Sequence, residues 1–450
     1  MRKLSTIAAR LAAGTETSRT LVEECLARIA DKSGEGERAF RTVYAEAARF
    51  AADTADQARR LNALPGPLAG IPISIKDLFD VAGETTQAGS HVLDDQPAAA
   101  ADAPVVARLR AAGLAILGKT NMTEFAYSGL GMNAHFGTPR SPYDRRTGRI
   151  PGGSTSGGAV SVADGMAAAT IGTDTGGSCR IPAALCGIVG FKPTASRVPR
   201  QGVVPLSMTM DSVGPLGASV ECCALLDSVL TGGAAEAPEA FPLAGLRIGV
   251  PTGYMTEGLD DHVAKSFSAA LDRLSKAGAR IVDLDLSELA QLPNVNRKGG
   301  FVGAEAYAWH RPLLEKYADR YDPWILGRFE VGKSQTAADY IDLLNIRADI
   351  VARVGRKTAT VDCVAAPTVA IVAPTLEAMS DRDVSMRTNL LLLRNAAAVN
   401  FLDRCALSIP CHEAGTAPVG LMLIGGHGAD RHLLAIGRSV EEAANQTPAE

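Results

Sequence analysis

No apolar run in this chain of 450 residues approaches the ~20 residues needed to cross a bilayer. The N-terminus, MRKLSTIAARLAAG, starts basic, but Arg10 interrupts any secretion-signal core, and the stretch reads as an amphipathic helix. No C-x-x-C pair occurs. The 8 cysteines, two of them adjacent (Cys222 and Cys223), indicate neither a bridged scaffold nor a zinc or redox site, and they fit a reducing cytoplasm. Neither charge is in strong excess. The net charge of −4 makes nucleic acid and anionic membrane poor partners. The single basic run, PRSPYDRRTGR from Pro139 to Arg149, is short and rich in turn formers, and is expected as a solvated loop. G-x-S-x-G is missing, which counts against an α/β-hydrolase. None of the 7 histidines stands in a glycine-rich turn beside an acid with the chain order of a hydrolase.

What is present is 46% apolar and 21% charged residues, enough for a sizeable core. Residues 1–65 read as two or three amphipathic helices, with Leu21, Val22, Cys25, Leu26 and Ile29 on one stripe. In LAGIPISIKD, Ile71, Ile73 and Ile75 alternate with Pro72, Ser74 and Lys76, so a strand places Lys76 on the face opposite the isoleucines. Pro104–Ala112 reads as a helix capped by Gly113. The run 151–193 is dense in Gly, Ser, Thr and Ala and reads as loop, helix, strand, glycine loop, helix, strand. Strand and helix signals continue to alternate through residues 246–365, with no repeat, long linker or clean boundary. The pattern is an α/β layer fold. Residues 290–335 look irregular and carry Tyr307, Trp309, Tyr317, Tyr321 and Trp324, either as a cover over a site or as ordinary packing.

GLAILGKT, Gly113 to Thr120, matches the phosphate-loop pattern G-x-x-x-x-G-K-[S/T]. A phosphate loop needs a strand before its first glycine and a pliant loop between the two. Here a helix precedes Gly113, and Leu114, Ala115, Ile116 and Leu117 make a buried strand. The match is not a nucleotide site.

Three residues could carry chemistry. Ser178 lies in GTDTGGSCR, where the N–H groups of Thr175, Gly176, Gly177 and Ser178 can converge on one point and hold an oxyanion. Ser154, in GGSTSGG, is separated from it by a helix and a strand that can return the chain to the same edge. Lys76 could act as base if neutral. Its ordinary pKa of ~10.4 would have to fall to near neutrality, at a cost of about 4 kcal/mol that burial supplies and exposure does not. Taken separately, two of these features have an ordinary reading: a tight glycine turn at Ser178 and a surface lysine paired with Asp77 at Lys76.

Together they resemble the amidase signature family. The Gly/Ser-rich block Pro151–Pro193 ending in GGSCR carries the likeness, with LAGIPISIKD as the lysine strand and GLAILGKTNMTEFAYSG as the segment after it. The match is strong over about 68–216 and resumes in VDCVAAPTVAIVAP and NFLDRCALSIPC. The resemblance implies one domain over 1–450: a mixed β-sheet covered by helices on both faces, a signature core at 68–216, a helical segment at 1–65 and a variable region at 290–335. It implies a Ser–cisSer–Lys triad of Ser178 as nucleophile, Ser154 as relay after a cis Gly153–Ser154 peptide, and Lys76 as base, with Thr175, Gly176, Gly177 and Ser178 as oxyanion hole. Gly153, Asp174 and Arg180 fall on supporting positions, and Tyr127 and Ser128 near the substrate. Two residues depart from the pattern. Thr155 replaces a usual serine, keeping a hydroxyl with altered packing, and Cys179 replaces a branched aliphatic as a small buried residue.

The activity so implied is hydrolysis of a small-molecule carboxamide through a serine acyl-enzyme, with no metal and no cofactor. A glutamine-hydrolysing A subunit of a tRNA-dependent amidotransferase and a catalytically silent binding protein of the same fold are the alternatives. The expected partner is a small amide, with no nucleic acid or membrane. A homodimer stays open.

Overall fold

All five residues of Pro72–Lys76 are buried, because this strand is covered on both faces. Ile73 and Ile75 pack with Val105, Val106 and Leu109 of the helix Pro104–Ala111. Each such isoleucine contributes roughly 1.5–3 kcal/mol by leaving water. On the opposite face the Ser74 hydroxyl bonds Ser161 Oγ at 3.0 Å, on the helix Ser156–Ala163. Alternation along one strand thus feeds an apolar layer on one side and a hydroxyl-lined layer on the other.

The computed structural model describes residues 1–444. Its strands are β1 Phe40–Val43, β2 Pro72–Lys76, β3 Ala115–Thr120, β4 Ala169–Asp174, β5 Val189–Lys192, β6 Ser212–Gly217, β7 Arg247–Thr252, β8 Arg280–Asp285, β9 Cys363–Pro367, β10 Ala406–Pro410 and β11 Gly420–Ile424. They join in one sheet of 11 strands, ordered β1-β3-β2-β4-β6-β5-β10-β11-β9-β7-β8. β2 runs parallel to β3 and β4, β7 runs parallel to β8 and β9, and the other pairings are antiparallel. The protein is a single domain with this mixed sheet flanked by helices. None of the described helices is long and apolar enough to cross a membrane.

The two or three helices expected over 1–65 are present, with β1, which pairs with β3, among them. That pairing accounts for the phosphate-loop look-alike. AILGKT is a fully buried strand, and a Cβ on Gly118 would meet the Thr42 carbonyl oxygen at 2.0 Å. The second glycine of the pattern is there so that two strands can approach.

Two expectations are corrected. Residues 290–335 are mainly helical, as Leu292–Val295, Gly300–Tyr317 and Pro323–Lys333. Phe301, Tyr321, Ile325 and Phe329 are buried there, and the Phe329 ring centre lies 5.1 Å from that of Tyr127 with the rings tilted. An apolar face shared between two helices does not show as a period in either one. The basic run is not a solvated loop either. Arg140 Nε donates to fully buried Glu35 at 2.7 Å, and Arg145 forms two hydrogen bonds to Asp164 at 2.9 and 3.1 Å. Their carboxylate partners lie far away in sequence, so composition alone reads the run as free charge.

Candidate active site

β2 ends at Lys76, whose side chain has no solvent exposure. Its Nζ donates to Ser154 Oγ at 2.8 Å and to Thr173 Oγ1 at 2.9 Å. It forms no ion pair with a carboxylate among the described residues. Burial lowers its pKa to about 8, against the opposing influence of Cys179, Asp211 and Asp174. Asp77 is no partner to it. The Asp77 carboxylate accepts the Gly89 N–H at 3.1 Å, and burial raises it to about 6.

Ser154 follows a cis Gly153–Ser154 peptide and is fully buried. Gly153 is wedged in place: its N–H donates to the Gly129 carbonyl at 2.8 Å, and a Cβ there would lie 2.6 Å from Gly131 N. Thr155 keeps the hydroxyl but makes no hydrogen bond with it among the described residues. Its hydroxyl is buried without a partner, packed tightly against Gly158 and Gly172. The hydroxyls of Thr123 and Ser156 are likewise buried and unpartnered.

Ser178 comes from the turn between β4 and the helix Arg180–Cys186, and is 3% exposed. The structure brings its loop to Ser154 through the Thr155 N–H, which lies 3.4 Å from the Ser178 carbonyl oxygen. No hydrogen bond joins Ser154 Oγ to Ser178 Oγ among the described residues.

Asp174 organises the turn. Its carboxylate accepts the N–H of Gly177 at 2.9 Å and of Cys179 at 3.1 Å. Arg180, with no exposure, grips the same carboxylate through Nε at 3.0 Å and Nη2 at 2.8 Å. That guanidinium holds the Asp174 carboxyl well below the usual carboxylate range despite burial. Asn400 accepts from Arg180 at 2.6 Å and donates to Asp174 at 2.9 Å. Gly177 is therefore the exception in the expected oxyanion quartet, because its N–H is engaged by Asp174. Among the described residues, Thr175, Gly176 and Ser178 have no loop, turn or side-chain acceptor for theirs. Cys179 is fully buried, with its thiol pushed up by burial, as expected of a small packing residue.

Tyr127 and Ser128 precede Gly129, whose carbonyl accepts the Gly153 N–H, and they differ in availability. The Ser128 hydroxyl donates to Asn389 Oδ1 at 2.9 Å, so it is spent in holding the segment. Tyr127 is half-buried, and its phenol is raised to about 12 by burial. A cavity of about 530 Å³ opens beside Thr173 and Asp211, with Arg200, Pro205 and Met208 on its wall.

Sequence reasoning missed Thr173, Asp211, Asn389 and Asn400. Asp211 accepts the Thr175 hydroxyl at 2.5 Å. Thr173 left a signal as a hydroxyl next to Asp174 in GTDTGGS, and Asn400 opens the block NFLDRCALSIPC.

The chain belongs to the Amidase family, whose model matches residues 20–434. It is 35% identical to the 2-amino-5-chloromuconic acid deaminase of Comamonas testosteroni, covering 98% of this chain and 95% of that one. It is 34% identical to the A subunit of the glutamyl-tRNA(Gln) amidotransferase of Thioalkalivibrio sulfidiphilus, covering 99% and 97%. A crystal structure of an amidase superposes with a TM-score of 0.89 at 32% identity, covering 98% of this chain and 99% of that one. Family and neighbours support an amidase-type hydrolase.

Proposed function

We propose that the protein hydrolyses the C–N bond of a small-molecule carboxamide, releasing ammonia or an amine and a carboxylate, through an acyl-enzyme on Ser178. The observation that carries this reading is the buried Lys76 amine, 2.8 Å from Ser154 Oγ and without a carboxylate partner. A lysine held near neutrality in this way is a base.

In the proposed sequence, neutral Lys76 takes a proton from Ser154, and Ser154 takes one from Ser178. Ser178 Oγ adds to the amide carbonyl. The N–H groups of Thr175, Gly176 and Ser178 receive the oxyanion, while that of Gly177 keeps Asp174 in place. The C–N bond breaks as the proton returns through Ser154 to the leaving nitrogen. Water then adds to the ester, delivering its proton along the same chain, and Ser178 is regenerated. The relay requires a Ser154–Ser178 hydrogen bond that forms on substrate binding, since catalytic contacts often tighten only in the substrate complex. The relay uses side chains and backbone alone.

A second reading, a glutamine-hydrolysing component that passes ammonia to a partner, is favoured by the relatives named as amidotransferase A subunits. It predicts a stable complex with a second protein chain and ATP-dependent transfer. The deciding experiment is an ammonia-release screen of the purified chain over primary amides, anilides and esters, with a fluorophosphonate probe. Turnover by the chain alone with labelling at Ser178 supports the hydrolase. Label elsewhere, or full activity in Ser178→Ala, overturns it.

A further inference from the structure

Thr175 supplies the first N–H of the oxyanion turn, and its side chain is held from outside that turn. Its hydroxyl donates to the Asp211 carboxylate at 2.5 Å. The same carboxylate accepts the N–H groups of Leu206 and Ser207, each at 3.0 Å, so Asp211 ties the turn to the loop ahead of β6. That loop is anchored in its turn. Ser207 Oγ and the Thr209 N–H both donate to Glu305 of the helix Gly300–Tyr317, at 2.5 and 2.9 Å. Asp211 is only 6% exposed, and burial raises its carboxyl, but the three donated hydrogen bonds act the other way and favour the carboxylate.

This charge is not matched by a cation. Among the described residues Asp211 forms no ion pair. Arg200 acts on it, yet spends Nη1 on the carbonyl oxygens of Met208 and Asp211, at 2.7 and 3.1 Å. The other ionisable groups that face the Lys76 amine are Asp174 and Cys179. Asp174 is matched by Arg180 at 2.8 Å, and burial keeps the Cys179 thiol neutral. Asp77, next in sequence to Lys76, turns to the Gly89 N–H. Asp211 is therefore the unmatched negative charge beside the relay. β6 brings it there by pairing Val213 with Thr173 and Ser212 with Asp174. Asp211 then shares a cavity wall with Thr173, the second acceptor of the Lys76 amine.

Resting on the relay described above, we propose that Asp211 is a positioning residue with two effects: through the Thr175 hydroxyl it sets the first N–H of the oxyanion turn, and through its unmatched charge it favours the Lys76 ammonium that forms as the relay runs. The N–H must point at the place where the oxyanion develops, and a hydroxyl tied to a fixed carboxylate removes the freedom of the residue that carries it. The ammonium later returns its proton toward the leaving nitrogen. Attraction between opposite charges is strong where water is excluded.

The test follows the rate at which a fluorophosphonate labels Ser178 across pH, since that reaction uses the same base and the same N–H groups without a known substrate. In the wild type the rate should rise to a plateau above about 8. Asp211→Asn keeps the shape: its carbonyl can take the two loop N–H groups and its amide can donate to the Thr175 hydroxyl. The acid limb should move down by about one pH unit, because a charge that favoured the ammonium is gone. A purely structural role gives the opposite sign, since a loosened site admits water and returns the lysine toward its ordinary value. Thr175→Val, which keeps the charge, should lower the plateau rate about ten- to a hundredfold with the limb unmoved, and Thr175→Ser should restore it. An Asp211→Asn limb that stays or moves up overturns the proposal, as does a Thr175→Val plateau equal to the wild type. A wild-type rate that is flat with pH overturns the relay itself and this inference with it, whereas a wild-type limb untouched in Asp211→Asn overturns this inference alone.

Discussion

Lys76 Nζ donates to Ser154 Oγ at 2.8 Å across 78 positions of sequence, and neither side chain is exposed. A lysine in bulk water would be charged at neutral pH. Here burial has moved it to about 8, so a useful fraction is neutral where an amidase works.

On the proposed relay, kcat/KM should rise with pH and level off above about 8, because only the deprotonated amine accepts a proton. The same shift has a stability consequence. The folded-state pKa of about 8 lies below the ordinary 10.5, so between those values the unfolded chain binds the extra proton and stability rises with pH. Lys76→Met should abolish turnover and flatten that rise. Rate profiles and urea titrations across the window measure both.

Thr173 Oγ1 is the second acceptor of the Lys76 amine, at 2.9 Å. Thr173→Val should lower kcat about ten- to a hundredfold on a positioning argument. It should also move the acid limb of the rate profile to lower pH, because the ammonium loses an acceptor. Thr173→Ser should restore both. A Val variant with an unshifted limb would leave Thr173 a packing role only.

Asp174→Asn should destabilise the protein by about 3–5 kcal/mol, because it leaves a fully buried guanidinium without its charge partner. The wild-type contribution is present above the ordinary carboxylate value and is lost only as pH falls through the depressed folded value. The variant should therefore show a lower Tm near neutrality and a shallower acid slope. Loss of activity without loss of stability would instead point to a direct role in the reaction.

The neighbouring glycines of the turn should behave differently. Gly177 has φ +127, and a Cβ there would lie 2.6 Å from Ala396 Cβ and from Ile181 Cδ1, whereas one on Gly176 would meet Leu393 Cδ2 at 3.4 Å. Gly177→Ala should lower Tm sharply. Gly176→Ala should fold normally and change kinetics only through the space it takes from substrate. Thermal melts of the two variants check the contrast.

Much of the site was legible because its signals are local. The alternation in PISIK set the face of Lys76, and the run of small residues marked the tight turns at Ser154 and Ser178. The strand in GLAILGKT was legible for the same reason, and it removed a misleading motif. Partnership was not legible. Asn400 reaches Asp174 from 226 positions away, and Asn389 holds Ser128 from 261. The helices at 300–333 hide their common face, and the basic run hides its carboxylates.

The sequence by itself determined which residues could react, since period, glycine density and hydroxyl placement are properties of short stretches. Only the tertiary structure decided their chemical state. Burial sets the charge of Lys76, and Asp174 removes the Gly177 N–H from the turn's free donors. Each depends on how much water and which distant partner the folded chain leaves beside a group, and neither quantity is written in its neighbours along the chain.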